Sequence, residues 1–236
     1  MTEAIVDIAT VVVMAKSAVP GRVKSRLIGP LSGEQAAQVH IAMLRCVMGR
    51  AGRLMGKSRQ VELILAAEAV QDSMQIGVEV PDGWITMDQG TGDLGQRIRR
   101  VWQQCGSGPV VFLGADSPDV PGHMLGSVVT VLGASEAVLG PTQDGGYWTL
   151  AAKGYRPQLL AGIDWGSDRV YHQTQQAAKR SGFVIRALEP WFDVDTTLDL
   201  QALRQRLLHG KPVTADPDIA RLRCELDQIC GNLAHE

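Results

Sequence analysis

Three cations at alternate positions, Arg22, Lys24 and Arg26, follow a Pro20-Gly21 pair, with Lys16 a few residues upstream. In an extended loop, residues two apart project to the same side, so the three could face one anion. Pro20-Gly21 makes a turn, and Gly21 lets the backbone come close to a ligand. A solvated basic loop is the plain alternative. The stretch follows an apolar run, Thr10–Ala15, that reads as a buried strand. Open α/β sheets bind ligands at the carboxyl ends of their strands, which favours a phosphate cradle.

The acids form the complementary set. Asp116 stands after the strongly apolar run Pro109–Leu113, where its side chain would reach the crevice at the sheet's carboxyl edge. Asp193 and Asp195 lie two apart in an extended stretch and can project to one side. Asp144 sits in an Asp-Gly-Gly turn. Two carboxylates within about 4 Å repel by roughly 4 kcal/mol at an effective dielectric near 20. A divalent cation with oxygen ligands removes that cost and brings a diphosphate with it, and Mg²⁺ suits a site of one or two carboxylates plus substrate oxygens. Protonation of one acid is the competing solution, and helix capping is the plain role for such residues. Asp199, three after Thr196, fits a capping box.

Weaker signals accompany these two sets. The turn Gln89–Gly95 opens a helix, and its backbone N–H groups could meet a phosphate or read a base edge. Tyr147, Trp148 and Trp165 could stack on a base or sugar, with core packing the commoner role. His40, His123, His172, His209 and His235 are scattered without ligand spacing and read as surface or structural residues. HExxH, GxSxG and GxxxxGK[ST] do not occur, which removes the common zinc-hydrolase, serine-hydrolase and P-loop readings.

The elements that must position these residues alternate. Apolar runs predict strands at Thr10–Ala15, Gln60–Ala66, Trp84–Met87, Pro109–Leu113, Ala137–Gly140, Tyr147–Ala151 and Phe183–Leu188, with Phe192–Asp195 extended. Helices are expected over Gly33–Met55 with Ser32 as N-cap, in a short piece over Glu68–Gln75, and over Gln96–Gln104, Gly122–Leu132 and Arg169–Ser181. A further helix should begin at Thr196. Such alternation without a long linker predicts one three-layer α/β domain, residues 1–210, with a mostly parallel mixed sheet. Residues 211–236 read as a helical tail, whose stripe Ile219, Leu222, Leu226 and Ile229 should pack on the domain or on a partner subunit in a homodimer.

Bulk properties agree with a globular enzyme. The 236 residues are 45% hydrophobic and 20% charged, with a net charge of −2, which argues against a protein dedicated to nucleic acid. No apolar run is long enough to span a bilayer, and Met1–Val13 lacks the basic start of a signal peptide. Cys46, Cys105, Cys224 and Cys230 form no CxxC pair and read as reduced thiols of a cytoplasmic protein.

With these residues laid out, the sequence resembles a bacterial family of glycosyltransferase-A-like (GT-A) nucleotide-diphospho-sugar transferases, some of them linked to arsenosugar biosynthesis. It is more distantly similar to nucleotidyltransferases such as phospholactate guanylyltransferase. The matching segments are Met14-Ala15-Lys16 with Pro20–Leu27, Gly92–Arg97, Gly114–Pro118, Gly140-Pro141 with Asp144–Tyr147, and Asp193–Thr196 with Asp199-Leu200. Ser25, Ala115 and Trp148-Thr149 depart from the family pattern, the last of these beside the acceptor region.

The resemblance implies a Rossmann-like nucleotide-binding fold. It places Lys16, Gly21, Arg22, Lys24 and Arg26 near the phosphates, and Gln89, Gly92, Asp93 and Gly95 in the turn near the base. Asp116 and Asp195, with Asp193 beside them, would hold Mg²⁺ or Mn²⁺. For glycosyl transfer from a nucleotide-diphospho-sugar to a small acceptor, Lys24 would share the charge of the departing diphosphate and Asp144 would act as general base. Nucleotidyl transfer from a nucleoside triphosphate, releasing pyrophosphate, is the second reading. A non-catalytic nucleotide-binding protein is the third.

Overall fold

The computed structural model describes residues 10–55, 61–68, 76–209 and 216–231. The short helix expected over Glu68–Gln75 falls almost wholly outside them, as does His235. Seven strands form one sheet in the order β3-β2-β1-β4-β6-β5-β7. They are β1 (Thr10–Ala15), β2 (Glu62–Ala67), β3 (Trp84–Asp88), β4 (Val110–Gly114), β5 (Ala137–Pro141), β6 (Tyr147–Ala152) and β7 (Ile185–Ala187).

Val11, Val12 and Val13 of β1 are fully buried, because the strand lies mid-sheet with helices on both faces. β1 pairs in parallel with β2 and with β4, and Met14 stands opposite Gly114. Residues just beyond β1 and β4 therefore emerge side by side at one edge of the sheet. β6 is the exception, antiparallel to both β4 and β5, since a tight turn after β5 sends the chain straight back. The mixed, mostly parallel sheet agrees with the expectation from sequence.

The helices are α1 (Gly33–Met55), α2 (Leu94–Trp102), α3 (Gly122–Gly133), α4 (Val170–Arg180), α5 (Thr197–His209) and α6 (Pro217–Ile229). α1 and α3 cover one face of the sheet, and α2 and α4 cover the other. α1 is buried on two sides. Leu44, Val47, Met48 and Ala51 meet the sheet, while Ala36, Val39, Met43 and Cys46 meet α5 and α6. The C-terminal helices thus add an outer layer over α1.

Leu222 and Leu226 of the tail stripe are buried there. Asp216 caps α6 and accepts from Arg50 Nε at 2.9 Å, and Arg53 bridges Asp216 and Asp218. Among the described residues, no helix is long and apolar enough to cross a membrane.

Local signals account for the helix starts. Ser32 Oγ accepts from Gln35 N, and Gln35 Oε1 accepts from Ser32 N, a reciprocal cap for α1. Asp93 and Gln96 do the same for α2, so that helix begins at Leu94, two residues earlier than its apolar spacing suggests. Phe192–Asp195 joins no ladder as a strand. It is held by Val194 N donating to Asp116 O at 2.9 Å, and by Trp191 N donating to Pro141 O at 2.9 Å.

Candidate active site

The cationic stretch is not extended, which corrects the basis of the alternate-position reading. Arg22 N and Val23 N both donate to Val19 O, closing a turn. Lys24 adopts a left-handed conformation (φ 48°), and Ser25–Leu27 forms a single 3-10 turn. Valine 23 and Leu27 are buried and anchor the loop, while Arg22 and Arg26 point outward. Only Lys24 turns in. Gly21 has φ 79°, a conformation glycine adopts freely, and a β-carbon at Gly33, the start of α1, would come within 3.0 Å of the Gly21 nitrogen.

The Lys24 side chain is 5% exposed and its ammonium uses all three donors. Nζ lies 2.5 Å from Asp116 Oδ1, 3.0 Å from Asp195 Oδ1 and 2.5 Å from the Val194 carbonyl. Burial alone would pull the lysine pKa down, but Asp116 and Asp195 outweigh it and hold the value above the ordinary one. Withdrawal from water works to raise the Asp116 pKa, yet the neighbouring Lys24 keeps it lowered. Lys24 is therefore an internal counter-cation for two carboxylates. Arg26 approaches Asp195 Oδ2 only to 3.9 Å and remains 74% exposed.

On the other side of Asp195 lies a crowded acid group. Ligand oxygens of Asp144, Asp193 and Asp195 fall within 4.8 Å of one another. At that spacing two charges repel by roughly 3 kcal/mol at an effective dielectric near 20, and less where water reaches them. Asp193 shows the strain: burial first, then Asp144 and Asp195, push its pKa up to about 6. Three carboxylates, of which Asp195 alone is paired with a cation among the described residues and Asp193 is reluctant to ionise, fit a hard divalent ion with oxygen ligands such as Mg²⁺ or Mn²⁺.

The turn that carries Asp144 is braced. Its Oδ1 accepts from Thr142 Oγ1 at 2.5 Å and from Gly146 N at 2.9 Å. Gly145 has φ 88°, and a β-carbon there would fall 1.9 Å from the Asp168 carbonyl oxygen.

The structure joins Asp116 and Asp195 through Lys24 and groups Asp195 with Asp193 and Asp144, so Asp116, expected beside Asp195 on the metal, stands outside the acid cluster and Asp144 stands within it. Lys16 follows β1 at the same sheet edge and is exposed, as are Arg22 and Arg26. The glycine turn uses its side chains internally. Gln89 is buried and its Nε2 donates to Ala15 O at 2.6 Å, and Asp93 serves as the cap of α2. Gly92 has its own side-chain space filled by Gln96, and Gly95 lies under the indole of Trp165. Asp199 accepts from Thr196 N and Oγ1, the capping box expected of it.

Sequence reasoning passed over two contributors, Glu68 and Thr142, and read a third, His40, as a surface or structural residue. His40 on α1 is buried, and its Nε2 lies 3.1 Å from Lys16 O, so the neutral ring donates there and fixes the end of β1. Glu68 accepts from Arg97 at 2.6 Å and from Ser17, tying the loop after β1 to α2. Thr142 orients Asp144. None stands in a charged pattern. The one available signal was His40 on the apolar face of α1.

Fold and geometry together define a class, a Rossmann-like α/β protein with a seven-stranded, mostly parallel sheet and a charged site at the sheet's carboxyl edge. Residues 53–167 match the family described as "uncharacterized protein conserved in bacteria (DUF2064)". No curated protein matches the sequence. The chain is similar to an inferred nucleotide-diphospho-sugar transferase of Desulfovibrio desulfuricans G20, with a TM-score of 0.74 and 24% identity over 97% of this chain and 99% of that one. It is also similar to Rv0371c of Mycobacterium tuberculosis H37Rv in complex with manganese, with a TM-score of 0.52 and 19% identity over 84% and 97% of the two chains. A third likeness is to 4-diphosphocytidyl-2C-methyl-D-erythritol synthase of Anaerococcus prevotii DSM 20548, with a TM-score of 0.53 and 11% identity over 82% and 95%. At these identities the likeness is one of fold. It bears out the fold class and agrees, at the level of fold, with the resemblance read from the motifs.

Proposed function

We propose that this chain is a divalent-metal-dependent transferase that acts on a nucleotide-diphospho-sugar and moves the glycosyl group to a small acceptor. The observation that carries this reading is the convergence of Asp144, Asp193 and Asp195 beside the Lys24–Asp116 pair at the carboxyl edge of β1 and β4. Mg²⁺ or Mn²⁺ bound there would neutralise charge on a diphosphate. The manganese complex of a protein of similar fold supports a metal, and the D. desulfuricans protein supports the donor class.

In this reading Asp195 serves both Lys24, at 3.0 Å, and the acid cluster. Arg22, Arg26 and Lys16, exposed at the rim, attract the polyphosphate, and the fixed Lys24 ammonium raises the local potential and so favours the charge of a leaving diphosphate. Asp144 serves either as a metal ligand or as the base that takes the acceptor's proton. The four thiols form no disulfide, which supports a cytoplasmic enzyme.

Nucleotidyl transfer is the second reading, favoured by the shared fold of the A. prevotii synthase. The decisive experiment is a thermal-shift screen of nucleotide-sugars and nucleoside triphosphates with and without Mn²⁺, followed by product analysis with the preferred ligand. Release of nucleoside diphosphate supports glycosyl transfer, and pyrophosphate supports nucleotidyl transfer. A chain that binds a nucleotide-sugar without metal would overturn the metal-dependent reading.

A further inference from the structure

Three residues beyond Asp116 stands a carboxylate that the proposed reaction does not use. The Asp119 side chain is 6% exposed. Its Oδ1 accepts from the Trp191 indole N–H at 3.1 Å. Arg206 of α5 donates to it from Nε at 2.6 Å and from its terminal nitrogen at 3.4 Å. The same guanidinium lies over the Phe192 ring at 4.5 Å, and Phe192 meets Trp191 edge-on at 5.4 Å. A buried carboxylate is retained only when such donors compensate for lost hydration.

Trp191 is where the two acid-bearing segments join. Its backbone nitrogen donates to Pro141 O, and it forms a bridge with Thr142, whose hydroxyl holds Asp144. Two residues further on comes Asp193. The three clustered carboxylates repel one another, so something outside the cluster must hold their segments together. Lys24 bonds Asp195 and Asp116 but neither Asp144 nor Asp193. Among the described residues, segment 191–195 has no strand ladder to fix it, and beyond Trp191 its backbone is held at Val194, which donates to Asp116 O and accepts from Lys24.

We infer that Asp119 is a positioning residue for the acid cluster: by gripping Trp191 and Arg206 it holds segment 191–195 against the turn at 142–146, at the spacing that lets Asp144, Asp193 and Asp195 share one cation. The inference rests on the metal reading proposed above.

The test measures Mn²⁺ affinity, by electron paramagnetic resonance of free Mn²⁺ and by calorimetry, on the full chain and on Asp119→Ala, Asp119→Asn, Asp144→Asn and the Asp119→Ala/Asp144→Asn double variant. Asp119→Ala should bind Mn²⁺ at least tenfold more weakly. Asp119→Asn should retain more affinity, because its carboxamide oxygen still accepts from Trp191. The loss in the double variant should fall well short of the product of the single losses, since Asp119 acts through the placement of Asp144. A merely structural role lowers the unfolding temperature without this coupling.

Wild-type protein that fails to bind Mn²⁺ would remove the metal reading and this inference with it. Wild-type binding with Asp119→Ala within twofold, or strictly multiplicative losses, would overturn the positioning role alone. Should Asp119→Ala not fold, Trp191→Phe carries the same test, because it keeps an aromatic ring at that position while removing the indole donor to Asp119. Unchanged Mn²⁺ affinity in that variant would equally overturn the inference.

Discussion

The Lys24 ammonium and the Asp195 carboxylate, 171 positions apart in the chain, meet at 3.0 Å at the carboxyl edge of the sheet. Asp116 closes the same group from β4. One buried cation thus joins the first loop of the fold to the segment that precedes α5 and supplies a counter-charge to both carboxylates.

Replacing Lys24 with methionine removes that counter-charge and leaves Asp116 and Asp195 facing each other. Breaking a fully buried pair costs about 3–5 kcal/mol, but these carboxylates are 43% and 39% exposed and water compensates in part. The expected loss is therefore about 1–3 kcal/mol in urea unfolding without metal. Millimolar Mn²⁺ should restore much of it by taking the lysine's place. A stability unaffected by both the substitution and the ion would contradict the counter-cation role.

On the metal reading proposed above, Asp193 should make cation binding pH-dependent. Its pKa stands near 6, above the unfolded value of about 3.9, so its favourable protonated state is lost as pH rises through 6. A bound cation requires the ionised form. Mn²⁺ should therefore raise the unfolding temperature more at pH 7.5 than at pH 5, and its affinity should drop by up to about tenfold per pH unit below 6. Asp193→Asn should flatten that dependence, and calorimetry at several pH values checks it.

Burial lowers the His40 pKa, with Lys24 and Lys16 adding to the effect, while Asp116 and the Lys16 carbonyl oppose it. A depressed folded-state value means that the unfolded chain binds the proton more readily. Stability should accordingly decline as pH falls below the unfolded value of about 6.5. In His40→Gln, which keeps a donor for the Lys16 carbonyl and does not titrate, that part of the decline should vanish in denaturant titrations from pH 7.5 to 5.5.

Gly145→Ala combines a positive φ with a backbone clash against Asp168, so it should destabilise by at least about 2 kcal/mol. Because the turn carries Asp144, Mn²⁺ affinity should fall as well. Thermal unfolding with and without Mn²⁺ reads both effects, and a variant as stable as wild type would show that the turn relaxes freely.

Some of this was written locally. The valine run of β1, the apolar spacing of α1 from Gly33 to Met55 and the Thr196–Asp199 cap are legible in sequence, because strand burial, helix periodicity and capping depend on residues a few positions apart. So were the chemical types of the site, since Asp116, Asp144, Asp193 and Asp195 stand in turns and strand ends where acids have no core role. What the chain order could not reveal is who faces whom. The left-handed Lys24, the antiparallel return of β6, the stacking of α5 and α6 on α1, and the grip of Asp119 on Trp191 and Arg206 each join residues far apart in sequence. Such pairings are set by which charges burial forces together, and that becomes defined only when the sheet closes and its helices pack.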